Sequence, residues 1–223
     1  MPVNKKYLAN FEYGEIYHVY NRTNNRELLF RSPENYLYFL RQFDRYLSPV
    51  VDTFAWNLLP NHFHFLIRIK PASEVEENIA AITCDKQSKT EKQYFVGKQP
   101  NTLVEKAFTR FFTSYAMAFN KMYKRKGNLF SRTFKRISIV KDSHFTQVLI
   151  YIHANAQKHQ LVKDFVSYPW SSYHTMLTDE PTTLLREEVL DWFGGATQFI
   201  LVHRTISDYY YNCNCAIEED DAF

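Results

Sequence analysis

Glycine is scarce in this chain, 5 of 223 residues, and neither a GxGxxG run nor a GxxxxGKS/T run occurs. A loop that cradles nucleotide phosphates by close backbone approach is therefore excluded. Cysteine is scarcer still. Cys84, Cys213 and Cys215 are too few and too unevenly placed for a disulfide framework, and Cys213 with Cys215 is only a weak metal signal. No apolar run approaches the ~20 residues of a membrane span. The opening Met1-Pro2-Val3-Asn4-Lys5-Lys6 lacks the apolar centre of a signal peptide. These features lead to the expectation of a cytoplasmic protein with no membrane partner. Aromatic residues, by contrast, are abundant: 19 Phe and 16 Tyr in a chain that is 45% hydrophobic. That content can fill a sizeable core.

The most informative run is Leu58-Leu59-Pro60-Asn61-His62-Phe63-His64-Phe65-Leu66-Ile67. After the Pro-Asn turn, apolar and aromatic residues alternate with histidine. Alternate side chains of a strand share a face. His62 and His64 therefore point one way, and Phe63, Phe65, Ile67 and Ile69 point to the core. Two imidazoles held side by side on a strand form half of a metal site or an acid–base pair.

Charge is unevenly distributed, although the net is only +3. Between Thr102 and Lys141 stand ten Lys and Arg, against the single acid Glu105. From Asp179 to Phe223 ten acids face only Arg186 and Arg204. A basic middle interleaved with Phe and Tyr has the composition of a nucleic-acid surface, with cations for phosphates and rings for bases. Its candidate phosphate contacts are Lys124, Arg125, Lys126, Arg132, Lys135 and Arg136, with Lys158 further on.

Along the chain, Glu15 to Arg22 has the aromatic and β-branched content of a first strand. Ser32-Pro33-Glu34 starts a helix, with Leu37, Leu40 and Phe43 or Asp44 marking its turns up to Leu47. Val51 to Leu58 is a second strand, and the histidine-bearing run is a third. Pro71 to Pro100 is polar and weakly periodic, an inserted loop with room for one short helix near Glu74 to Ile82. Asn101 to Tyr123 is amphipathic, with Val104, Phe108, Phe111, Tyr115, Phe119 and Met122 at helical spacing. Lys124 to Asn128 is a basic turn. A fourth strand covers Arg136 to Val140. Asp142 or Ser143 then caps a helix running to Lys158. The order β-α-β-β-α-β predicts an α+β, ferredoxin-like split βαβ fold, a four-stranded antiparallel sheet with helices on one face. A further helix carries Tyr151, and an acidic helical extension follows. The expected organisation is a catalytic domain over 1–175, with 71–100 inserted, and the extension over 176–223. Leu185, Leu190, Trp192, Phe193, Phe199 and Ile200 are expected to pack the extension onto the core. A loose tail is expected around Glu218 to Asp221.

On the helix from His144 to Lys158, Phe145, Val148, Leu149 and Ile152 make the apolar stripe. Tyr151, Asn155 and Lys158 lie in line on another face. Leu59-Pro60-Asn61-His62-Phe63-His64 resembles the His-hydrophobic-His motif of the HUH single-tyrosine transposases, in particular the REP-associated, insertion-sequence-derived branch. Tyr17-His18-Val19-Tyr20-Asn21-Arg22 is similar to that family's first strand. Gly127 to Lys135 resembles its basic turn and fourth strand. Tyr151-Ile152-His153-Ala154-Asn155 resembles its catalytic-tyrosine helix, and Tyr168-Pro169-Trp170-Ser171-Ser172-Tyr173 the segment after it. The likeness runs from Tyr13 to Tyr173. It departs where the family has Pro after the Asn of the tyrosine motif: Ala156 stands there, and Ala continues a helix.

The resemblance implies that Tyr151 attacks a DNA phosphodiester, leaving a 5′-phosphotyrosine and a free 3′-hydroxyl. It implies a Mg²⁺ or Mn²⁺ ion on His62, His64 and Asn155. It also implies single-stranded DNA with a hairpin as substrate, bound by a monomer or a homodimer. Two other classes compete with this reading. One is a catalytically silent DNA-binding protein of the same fold, and the other is a metal-dependent phosphodiesterase that uses water.

Overall fold

A computed structural model describes residues 7–84, 100–131 and 133–212. Its centre is a four-stranded sheet in the order β2-β3-β1-β4. The strands are β1 (Ile16–Arg22), β2 (Val51–Leu59), β3 (His62–Ile69) and β4 (Lys135–Ile139). Every pairing is antiparallel. β2 and β3 form a hairpin, and β1 lies between β3 and β4. The connections from β1 to β2 and from β3 to β4 must each therefore step over a strand, which is the split βαβ arrangement.

Those crossovers carry helices α1 (Pro33–Leu47) and α3 (Pro100–Met122). Both lie on the face of β3 that bears Phe63, Phe65, Ile67 and Ile69. In α1 the buried stripe is Tyr36, Phe39, Phe43 and Leu47, one turn apart, while Leu37 is exposed. The rings of the neighbouring positions outcompete leucine for the core, so the face is rotated from the one expected. Ser32 is the N-cap residue with extended backbone and Pro33 opens the helix, but the Ser32 side chain makes no capping bond. In α3, Val104, Phe108, Phe111, Tyr115 and Phe119 are buried as the spacing predicts. Met122, the sixth member of that series, is exposed, with its sulfur 3.8 Å from the Asn35 side-chain nitrogen.

The basic turn after α3 closes on Lys124, whose φ of 52° is left-handed. The Arg125 amide reaches back to the Asn120 carbonyl, so a lysine holds the place a glycine commonly takes. The polar segment after β3 begins with a helix, α2 (Ala72–Cys84), longer than the short one expected. The remainder of that segment to residue 99 lies outside the described residues, as do Arg132, Cys213, Cys215 and the acidic tail.

The opposite face of the sheet is covered as well. Helix α4 (Asp142–Lys158) crosses it and packs Phe145, Val148, Leu149, Tyr151 and Ile152 on Phe54, Ala55, Leu66 and Ile139. The helix runs through Ala156 and is capped by His159, as a residue with an amide proton at that position allows. The two helices that follow, α5 (Arg186–Phe193) and α6 (Ala196–Asn212), join this second core through Val189 and Phe199. Leu185, Leu190, Phe193 and Ile200 pack partly buried around them. Trp192 stays 40% exposed, with one face on Phe145 at 4.6 Å. Among the described residues no helix is long and apolar enough to cross a membrane.

Candidate active site

The strand register decides which side chains meet. Tyr20 on β1 and Asn57 on β2 both stand opposite His64, and Lys135 on β4 stands opposite Tyr20. Asn57, His64, Tyr20 and Lys135 therefore form a row across the sheet on the face away from the Phe core. A bulge between Thr53 and Ala55 sets this register. His18, two residues before Tyr20, shares the face. Helix α4 presents Tyr151 to the row, carries Asn155 and Lys158 at the spacing of successive turns after it, and ends on His159, which meets His62.

The geometry is tight. The Tyr151 ring stands edge-on to His18 and His64, with centroids 6.1 and 5.9 Å away. The Lys158 ammonium is 4.8 Å from the Tyr151 ring centroid. The His62 ring lies 5.1 Å from both His64 and His159. Asn57 donates its amide to the Ile152 carbonyl at 2.6 Å, which pins the helix to the sheet one residue past Tyr151. Tyr151, His64, His18 and Asn155 are all essentially removed from solvent, and His62 is half-buried.

Each histidine of the pair uses its Nδ1 for support. His62 Nδ1 lies 2.6 Å from Asn61 Oδ1, and His64 Nδ1 lies 3.2 Å from His18 Nε2. The turn that presents them is held from outside, because the Leu29 and Phe30 amides donate to the Pro60 carbonyl and the Thr23 amide to the Asn61 carbonyl. Asn155 on α4 is fully buried. Both atoms of its carboxamide are buried and meet no hydrogen-bond partner among the described residues. Burying an amide in that state is costly, and a water, an ion or another outside group could satisfy it. Among the described residues no three His, Cys, Asp or Glu side chains group as metal ligands. Two imidazoles and an amide oxygen could hold a divalent cation with further positions for water or phosphate, and without thiolate they are not the cysteine set of a structural zinc site.

The basic residues divide into two kinds. Lys124 and Lys126 are exposed. Lys135 lies at the site, its ammonium 4.9 Å from the Tyr7 ring centroid and 5.5 Å from that of Tyr20. Arg125 and Arg136, by contrast, are turned into the protein. Arg125 grips the Glu27 carboxylate with two bonds of 2.7 Å and also donates to the Gly127 and Asn128 carbonyls. Arg136 donates to Glu105 and the Ala9 carbonyl and lies over the rings of Phe11 and Phe134. Both guanidiniums organise the fold, a role that composition alone does not distinguish from phosphate contact.

No family model and no curated protein matches the chain. Among solved structures it is similar to a REP-associated tyrosine transposase bound to a REP hairpin, at a TM-score of 0.55 and 15% identity. The alignment covers 81% of this chain and 89% of that one. The chain has the fold of that transposase. At this identity the likeness concerns the backbone, and the chemistry must be argued from the side chains.

Within the transposase-like fold, α4 is anchored on its far side by a buried chain of polar groups that the sequence did not disclose. The His203 ring on α6 is 2.8 Å from the Phe199 carbonyl through Nδ1, and its Nε2 is 2.9 Å from His153 Nδ1. His153 Nε2 is in turn 2.9 Å from Ser172 Oγ, which also accepts the Trp56 amide. The carbonyl can only accept, so the protons run in one direction: Ser172 to His153 to His203 to Phe199, with both rings neutral. Burial pushes His203 down to about 4, against the opposing pull of its bond to the Phe199 carbonyl, and pushes His153 well below the ordinary histidine value, where the neighbouring His203 lowers it further. In the unfolded chain both return to ~6.5. Between these values the unfolded state binds more protons, so stability should fall as pH drops from about 6.5 towards 4. His203→Ala should cost about 2–4 kcal/mol at pH 7 by opening a cavity and stranding the His153 donor. It should also flatten the acid-side loss. Urea unfolding at pH 7 and pH 5 measures both effects, and an unchanged midpoint would remove the anchor.

His18, Asn57 and His159 are members of the site that sequence reasoning left without a role, and Tyr20 entered it only as an alternative nucleophile. Strand periodicity could have placed His18 and Tyr20 on one face of β1. Only the pairing with β3, a long-range fact, makes that face the one bearing His64.

Proposed function

We propose that this chain cleaves and rejoins single-stranded, hairpin-containing DNA, with Tyr151 as the nucleophile. The observation that carries the reading is the buried Tyr151 ring on α4 standing edge-on to His64 on the sheet, 5.9 Å between centroids, with the buried Asn155 one helical turn further on. The Tyr151 oxygen would attack the phosphorus, and the 3′-oxygen would leave with a proton. The products are a 5′-phosphotyrosine and a free 3′-hydroxyl. The ester retains the energy of the broken bond, so rejoining by a 3′-hydroxyl needs no nucleotide cofactor. His62, His64 and Asn155 would hold a Mg²⁺ or Mn²⁺ ion, whose charge when bound supplies Lewis-acid stabilisation of the phosphoryl oxygens. A phenol with a reference pKa of ~10 is a weak nucleophile at neutral pH, so such help is needed. Lys158 and Lys135 add fixed positive charge at the same place.

Lys124, Lys126, Lys135, Lys158 and Arg132 would follow the phosphates of the strand. Arg125 would shape the turn that carries its lysine neighbours. The triple change Lys124→Gln, Lys126→Gln, Lys135→Gln should flatten the log K against log salt slope by about 2–3, at ~0.7–0.9 per lost phosphate contact. Fluorescence anisotropy with a labelled hairpin at several salt concentrations reads this slope. An unchanged slope would place the DNA on another surface. The reading as a whole is tested by incubating the protein with labelled hairpin DNA and Mn²⁺ and looking for a denaturation-resistant adduct.

A further inference from the structure

We infer that His18 is a positioning residue for His64. It accepts the Nδ1 proton of His64 and so fixes the tautomer in which His64 Nε2 carries the lone pair for a divalent cation. This deepens the reading of His62, His64 and Asn155 as cation ligands and rests on it.

Counting protons between the two rings decides the tautomer. His18 and His64 are both fully buried, and their facing nitrogens, His18 Nε2 and His64 Nδ1, are 3.2 Å apart. The rings are 5.4 Å apart and tilted by only 22°. A neutral imidazole has one N–H and one lone pair. A hydrogen bond between two such nitrogens has one donor and one acceptor. If His18 donated, the proton of His64 would sit on Nε2, and that atom would have no lone pair for a cation. If His64 donates, its Nε2 is open to a cation and the His18 proton sits on Nδ1. Only the second arrangement is compatible with a ligating His64.

His62 provides an internal comparison. Its Nδ1 faces Asn61 Oδ1 at 2.6 Å, an oxygen that can only accept, so His62 is an Nδ1–H tautomer with Nε2 as the ligating atom. With His18 as acceptor, both histidines of the pair take the same tautomer from two different supports. Such outer supports commonly change metal affinity 10–100-fold when removed.

The test is Mn²⁺ binding by calorimetry on the full-length chain without DNA. The proteins compared are the unsubstituted protein, His64→Ala, His18→Leu and His18→Gln. Leucine fills the volume without an acceptor, whereas glutamine can place a carbonyl oxygen near the position of Nε2. His18→Leu should weaken Mn²⁺ binding 10–100-fold, and His18→Gln should restore it to within a few-fold. Circular dichroism establishes that each of the four is folded under the conditions of the titration. If the unsubstituted protein and His64→Ala bind Mn²⁺ alike, the underlying ligand reading fails. If His64→Ala loses binding but His18→Leu does not, the ligand reading stands and the inference about His18 is overturned. A glutamine variant as weak as the leucine one overturns it as well. Long-range ¹⁵N spectra of the unsubstituted protein give the answer without any variant: the expected His64 is protonated at Nδ1, and protonation at Nε2 contradicts the inference.

Discussion

Tyr151→Phe should lose covalent attachment to DNA by roughly 10⁴-fold or more, as expected when the nucleophile of a covalent mechanism is removed. Hairpin affinity should stay within a few-fold of the original. Only the hydroxyl is deleted. The ring, 1% exposed and edge-on to His18 and His64, keeps its packing, so the helix has no reason to move. Two other tyrosines on β1 are close in sequence to the site, and the sheet separates them. Tyr17 faces the Phe core, where its hydroxyl donates to the Asn10 carbonyl and accepts the Glu12 amide. Tyr20 shares the His64 face, with ring centroids 5.7 Å apart. If an adduct persists in Tyr151→Phe, Tyr20 is the residue to map. Gel analysis of the denatured reaction, followed by peptide mapping, distinguishes these outcomes.

His64→Ala should abolish metal-dependent cleavage, with a loss of about three orders of magnitude or more. Lewis-acid stabilisation is worth several kcal/mol, and each 1.36 kcal/mol is tenfold in rate. His64 is central to the cross-sheet row and fully buried, so its removal also leaves a cavity and a stranded His18. A stability loss of about 1–3 kcal/mol should accompany the kinetic effect. Circular dichroism and urea unfolding separate the two. Full cleavage activity in a folded His64→Ala protein would remove the assignment of the histidine pair.

Much of this site was legible because strand and helix periodicities are local. The alternation of His62, Phe63, His64 and Phe65 assigns faces without a structure, and the faces are as read. The element order gave the split βαβ topology for the same reason. What stayed hidden depends on contacts between distant segments. Nothing around Arg125 or Arg136 in sequence announces Glu27 or Glu105 as partners, so both arginines resembled free phosphate contacts. His18 became part of the site only through the pairing of β1 with β3. His153 was a letter in a motif until His203, fifty residues later, met it across α4. In α1 the spacing allowed two overlapping apolar stripes, and the larger rings of Tyr36, Phe39 and Phe43 took the core over Leu37.

In the proposed reaction Tyr151 becomes joined to a DNA 5′-phosphate. Its most direct measurement uses a hairpin oligonucleotide with a single-stranded flank, labelled separately at the 3′ and 5′ sides of the cleavage point. The protein is incubated with it and Mn²⁺, denatured, digested and analysed by mass spectrometry. The label 3′ of the break should stay with the protein, on the peptide containing Tyr151, while the other fragment is released with a free 3′-hydroxyl. Cleavage with no protein-bound DNA, or attachment to a different residue, would contradict it.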